Sequence, residues 1–166
     1  KIETNVYSPD LLDNLLPHYS FYNQKGISSS LLKFLKSGLS TKGQMYQRYV
    51  FPIWDENSLI CGLAGRDMSG NKDRPKWKLV GKKNKWLYPL FAKNQEGDFP
   101  IQSSIIKESS VILVESIGDM LSLLQRGYKN VLVVFGLDIS SRLMCSLMEF
   151  SLDKIVISLN NDILSS

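Results

Sequence analysis

The spacing of apolar positions changes period twice along the chain. From Ser8 to Gly38 it is helical. Leu11, Leu12, Leu15 and Leu16 follow Ser8 and Pro9 and precede Pro17, which predicts a short helix with Ser8 as its N-cap. Leu31, Leu32, Phe34 and Leu35 predict a second helix from Ser29 to Ser37, with Gly38 placed to stop it. The period then falls to two. Gln47–Ile53, Leu59–Arg66, Lys76–Val80 and Trp86–Leu90 predict short antiparallel strands joined by polar turns such as Asp55-Glu56-Asn57-Ser58. Beyond the polar loop Lys93–Asp98 and Pro100, short apolar runs alternate with helical spacing. The runs are Val111–Val114, Val131–Phe135 and Ile155–Leu159. Helices are predicted between them, from Gly118 to Arg126, ended by Gly127, and from Ser140 to Phe150, capped by Asp138 or Ser140. A βαβαβ order predicts a parallel sheet with right-handed crossovers. The expected fold class is therefore α/β, with a mixed α+β lobe over 1–100 and a parallel-sheet lobe over 101–166. Three strands make a small parallel sheet, so the natural protein is expected to continue past Ser166.

Two of the apolar runs end abruptly in chemistry-bearing residues. Val111–Val114 is followed by Glu115, Ser116 and, one turn later, Asp119. Ile155–Leu159 is followed by Asn160-Asn161-Asp162. The carboxyl ends of parallel strands are where open α/β sheets bind ligands. If these two strands are neighbours, Glu115, Asp119 and Asp162 surround one crevice, a donor set suited to magnesium held against phosphates.

Composition narrows the class. The chain has 166 residues and a net charge of +4, with the apolar and charged content of a globular protein. No apolar stretch is long enough to span a bilayer, and the N-terminus lacks a signal-peptide pattern. It reads as an excised fragment. Cys61 and Cys145 read as buried free thiols, and a lone His18 excludes the usual Cys/His zinc site, so a reducing, cytoplasmic location is expected. The positive charge is concentrated. Arg66, Lys72, Arg74, Lys76, Lys78, Lys82, Lys83, Lys85 and Lys93 are opposed only by Asp67 and Asp73 between Arg66 and Lys93. Trp77, Trp86 and Tyr88 are interleaved with them. Cations among aromatics suit backbone contact beside base stacking, while a solvated lysine-rich loop is the plainer reading.

The second lobe resembles the Toprim domain shared by bacterial-type DNA primases, topoisomerases and certain nucleases. Glu115 matches that family's strand-end acid, Gly136 the glycine after the second strand, and Asn160-Asn161-Asp162 stands where Asp-x-Asp is expected. In the first lobe, Arg48-Tyr49-Val50-Phe51-Pro52-Ile53, Gly62-Leu63-Ala64-Gly65-Arg66-Asp67, Pro75-Lys76-Trp77 and Lys83–Leu90 occur in that order. They look like the basic subdomain of the DnaG-type primase RNA-polymerase core. Lys25-Gly26-Ile27-Ser28 before a helix is similar to its entry. The neutral triplet and the compact Lys76–Tyr88 segment are closer to bacteriophage primases.

The resemblance implies a nucleotidyltransferase that makes short RNA primers during DNA replication. Its implied partners are a single-stranded DNA template, ribonucleoside triphosphates and, by family alone, a replicative helicase. No membrane partner is expected. Mg2+ or Mn2+ is the implied cofactor, with Glu115, Asp119, Asn160 and Asp162 as metal residues and the three acids as catalytic. Arg66, Lys76, Trp77, Lys83, Arg48 and Lys78 are implied to contact nucleotide or nucleic acid. Asp119 has a second reading, as a carboxylate favoured at the positive end of its helix. Trp77 is equally readable as a packing aromatic. Asn160 supplies an oxygen but no charge. Two other functions stay open: a Toprim nuclease or topoisomerase-like enzyme, and a non-catalytic nucleic-acid-binding module.

Overall fold

The computed structural model of the chain describes residues 7–136 and 138–159. The chain forms two compact units, Lys1–Trp86 and Leu87–Ser166. They divide ahead of the polar loop rather than at Pro100, because Tyr88 is bonded into the second unit: the Val133 N–H donates to the Tyr88 carbonyl at 2.8 Å.

The first unit is built on a five-stranded antiparallel sheet in the order β1 (Leu15–Leu16), β2 (Gly38–Ser40), β3 (Arg48–Trp54), β4 (Ile60–Asp67), β5 (Trp77–Gly81). The three long strands fall where the two-residue period placed them. Three short helices precede or flank the first strands: α1 (Asp10–Asp13), α2 (Ser20–Asn23) and α3 (Ser29–Phe34). Two helical expectations need correcting. The first helix stops at Asp13, and Leu15 and Leu16 leave it to pair with Ser40 and Leu39. Pro17 denies that segment a further helical turn, and the sheet edge takes up its backbone groups instead. Helix α3 is capped by the Ser28 hydroxyl and ends at Phe34, with Leu35 as its C-cap and the left-handed Lys36, at φ 53°, taking the chain out of the helix before Gly38. Gly38 lies inside β2, where a Cβ would come within 2.7 Å of the Leu16 carbonyl oxygen.

All seven residues of β3 are buried, since it runs mid-sheet with both faces covered. One face meets Tyr22. The rings of Tyr22, Tyr49 and Phe51 lie 5.0 to 5.7 Å apart, mostly edge to face. Such pairs contribute roughly 0.5–1.5 kcal/mol each beyond area burial. The Tyr49 hydroxyl is bonded to Ser37 at 2.8 Å, so its one polar atom is satisfied.

The second unit carries a three-stranded parallel sheet, β6 (Ser110–Val114), β7 (Val131–Val133) and β8 (Lys154–Ser158), ordered β7-β6-β8. Its helices are α4 (Pro100–Glu108), α5 (Ile117–Gln125) and α6 (Ser141–Glu149). The βαβαβ order is as expected, and Gly127 at φ 94° follows α5. The helix α4 was not. Its buried residues are Ile101 and Ile105 alone, and the serines between them hide the period. Trp86–Leu90 is not a strand: only Tyr88 makes a bridge, and Pro89 has no N–H to extend it. On α6, Met144 and Met148 face solvent instead of the core, and Cys145 is exposed. Cys61 is half-buried, which pushes its thiol up to about 11. Both cysteines are free.

Candidate functional site

The acidic end of the second unit follows from strand register. Val114 of β6 pairs with Ser158 of β8, so the two strands that end in polar residues are adjacent and parallel. Glu115 is half-buried just beyond β6. Ser116 begins α5: its hydroxyl accepts from the Asp119 N–H at 3.2 Å and donates to the Asp119 carboxylate at 3.0 Å. Ser116 is therefore the N-cap, and Asp119 lies in the first turn of α5, where a negative charge is favoured. Asn160 and Asp162 lie outside the described residues. Gly136, following β7, sits at φ 147°, a conformation side-chain-bearing residues avoid.

Among the described residues no group of three potential ligands could close a metal site. Glu115 and Asp119 are nevertheless hard oxygen donors on one strand end and the turn after it. Magnesium commonly takes one or two carboxylates, with waters and substrate phosphates completing its shell. In kind, these two residues fit that role.

The basic residues of the first unit are sorted by the pleat. Cross-strand partners share a face. Tyr49, Arg66 and Trp77 form one row, and Phe51, Ala64 and Leu79 the next on the same face. Trp77 accordingly lies 6.3 Å from Phe51. Lys78 pairs with Gly65 and Arg48 with Asp67, on the opposite face. Residues that are neighbours in sequence thus point to different sides.

Each cation has its own environment. Arg66 is half-buried, donates to the Asp67 carbonyl and lies over the Phe21 ring at 4.9 Å. Lys25 approaches the same ring at 4.5 Å. Lys76 and Lys83 are exposed, the latter on a single 3-10 turn, Lys83–Lys85. Lys78 donates to the Gln44 carbonyl at 3.0 Å. Arg74 donates to the Tyr46 carbonyl at 2.7 Å and to the Gln47 side chain at 3.3 Å. Arg48 is a correction. It is only 3% exposed, and its guanidinium donates to the carbonyls of Gly65 and Lys76, tying the ends of β4 and β5. It is spent inside the fold and does not meet phosphate from solvent. Its Nε has no hydrogen-bond partner among the described residues. Gly65 makes the space: a Cβ there would lie 2.6 Å from Met45 Sδ and 3.1 Å from Arg48 Cδ. Phe21, Lys25 and Tyr46, which meet Arg66 and Arg74 here, come from segments far from the basic block.

Asp67 closes this network. Burial pushes its carboxyl up, but hydrogen bonds from the Ser69 hydroxyl and N–H, with Arg74 and Arg48 nearby, outweigh that and hold it below the usual carboxylate range. A lowered folded pKa gives stability that is complete above the unfolded pKa and lost as pH falls through the folded one. Asp67→Asn is expected to destabilise the chain at neutral pH, with the difference shrinking below about pH 4. Denaturant melts at both ends of that range check it; a difference that does not change with pH would exclude the charged network.

No family model matches the chain. Curated relatives and solved structures do. The chain is 31% identical over 166 residues to a DNA primase of Borreliella burgdorferi, covering 94% of this chain and 29% of that protein. The fold matches a DnaG primase catalytic domain bound to single-stranded DNA, with a TM-score of 0.69, 15% identity, and 85% and 53% of the two chains covered. It also matches the zinc-binding and RNA-polymerase domains of Aquifex aeolicus primase, with a TM-score of 0.69, 21% identity, and 85% and 42% covered. The chain spans about three-tenths of the curated relative's length. Likeness to DNA primases thus runs almost from end to end of this chain, and its antiparallel sheet followed by a parallel one has the fold of the DnaG primase catalytic core.

Proposed function

We propose that the chain is part of a primase catalytic core that joins ribonucleotides on a single-stranded DNA template. The observation that carries this is the β6–β8 register, which sets Glu115 beside the strand leading to Asn160-Asn161-Asp162. On this reading the second unit is a Toprim domain. Glu115 and Asp119, with Asp162, hold Mg2+ or Mn2+, and Asn160 contributes an uncharged oxygen. When bound, the cation supplies Lewis-acid stabilisation of phosphate oxygens. The protein's own part is to hold that charge at a rigid strand end and to neutralise phosphate with exposed or half-exposed cations. Arg66, Lys76 and Lys83 take that role; Lys78 lends its charge while holding the Gln44 carbonyl. Trp77 offers a half-exposed indole beside Arg66 for a base or for packing.

Ribonucleoside triphosphates are the proposed substrates, and a replicative helicase the proposed partner on family grounds. A cytoplasmic location follows from that reading, and a bacteriophage source is supported by the neutral triplet and the compact Lys76–Tyr88 segment. No described helix is long and apolar enough to cross a membrane. The full-length protein, given a single-stranded template, ribonucleotides and either cation, is expected to release short RNA. Cleavage of the strand without incorporation would overturn the proposal in favour of a Toprim nuclease. Binding without turnover at any cation concentration would leave a non-catalytic module.

A further inference from the structure

Beside the sheet of the first unit lies a cavity of about 670 Å3, within the range of roughly 300–1,000 Å3 typical of small-ligand sites. Four separate segments converge on it, bringing His18, Phe21, Gln24, Tyr46, Gln47 and Met68 among others. No carboxylate among the described residues lines it. Tyr46 is 51% exposed, yet its backbone is pinned: Arg74 donates to its carbonyl, and Lys78 holds the preceding turn through Gln44. Two cations of the basic block are thus used to present an aromatic ring. Phe21, on the cavity wall, carries Lys25 and Arg66 against its ring. The Met68 N–H donates to the Gln47 carbonyl at 2.8 Å, which fixes the floor.

We infer that this cavity is a nucleobase pocket, taking one unstacked base with its phosphate directed to Lys25 and Arg66. The inference rests on the nucleic-acid function proposed above and adds a subsite to it. An exposed, rigid aromatic stacks on any base. The primary amides of Gln24 and Gln47 can both donate and accept, which matches a base edge, adenine above all. Cations at the Phe21 wall match the phosphate that a base brings with it. The imidazole of His18 and the hydroxyl of Ser20 are bonded to each other at 3.3 Å, and the Gln47 amide oxygen accepts from Arg74 at 3.3 Å, so the amide N–H groups of Gln47 are left to donate to a base edge.

The base can belong to a strand or to a free nucleotide, and one experiment separates them. The 166-residue chain is titrated with a short oligodeoxyadenylate carrying 2-aminopurine, reading anisotropy and base fluorescence. Tyr46→Ala is expected to weaken binding about tenfold and to abolish the fluorescence change, with no change in salt dependence because no charge is lost. Tyr46→Phe is expected to bind as the wild type does. Arg74 bonds the backbone at this position, so the alanine variant keeps its loop, and equal thermal melts confirm it. Displacement of the strand by adenosine monophosphate supports the pocket with a free nucleotide as its ligand; persistence of the strand supports it with a strand residue. A wild type that binds no strand and no nucleotide at low salt would remove the nucleic-acid reading and the pocket with it. A wild type that binds, with Tyr46→Ala equal to it, would remove the pocket alone.

Discussion

Glu115→Gln in the full-length protein is expected to lower primer synthesis by a factor on the order of 10² to 10³ while leaving template binding nearly unchanged. The substitution keeps the side chain's shape and its ability to accept hydrogen bonds. It removes the charge and exchanges one acceptor oxygen for an NH2 donor. A cation that polarises a reacting phosphate is worth several kcal/mol, and each 1.36 kcal/mol is about tenfold in rate. On the proposed reading, template binding draws on the cations of the first unit and not on this carboxylate. The position is half-buried at a strand end and not in the core, so the fold should tolerate the change. Ribonucleotide incorporation measured beside strand binding checks the prediction. Equal incorporation by variant and wild type would show that Glu115 holds nothing the reaction needs. Parallel loss of binding would show that the residue is structural.

The second large effect concerns folding. The indole of Trp86 covers two glycines that face each other across β4 and β5: Gly62 pairs with Gly81. A Cβ on Gly62 would fall 2.3 to 2.6 Å from three atoms of that ring, and one on Gly81 would meet it at 3.1 Å. Trp86 is 4% exposed, so it has nowhere to retreat without giving up its burial. Overpacking of this kind costs about 1–3 kcal/mol, and losing a buried tryptophan contact altogether about 3–5 kcal/mol. Gly62→Val is therefore expected to cost about 3 kcal/mol or more and to lower the denaturation midpoint accordingly. The basic 3-10 turn Lys83–Lys85 directly precedes Trp86, so displacing the ring also frees Lys83 from its place. Tryptophan emission in a denaturant melt reads the first effect and salt-dependent strand binding the second. A midpoint within error of the wild type would mean that the ring has room to move.

What the sequence disclosed depended on how local the cause was. The strands β3, β4 and β5 and the βαβαβ order were legible because a two-residue period, or an apolar run closed by a polar residue, is written in consecutive positions. The place of Glu115 at the end of β6 was legible for the same reason. The helix α4 was hidden because only Ile101 and Ile105 face inward. Gly38 was misread because its close contact comes from Leu15 and Leu16, a segment expected to be helical. Arg48 looked like a phosphate ligand because charge shows in a sequence and sidedness does not. It is the pleat, fixed by register with β4, that turns Arg48 inward and leaves Arg66 at the surface. The pocket under Tyr46 could not have been read in advance, since four segments meet there only after the sheet has formed.

The alternation of Trp77 and Lys78 bears on how such a chain can drift. Exchanging one side chain of β5 for another alters one side of the sheet and leaves the other intact. Gaining or losing a single residue within Trp77–Gly81 would instead turn over every position beyond it, carrying lysine to the aromatic side and indole to the opposite one. Descendants of this chain should therefore vary freely in the spelling of that strand and hardly at all in its length.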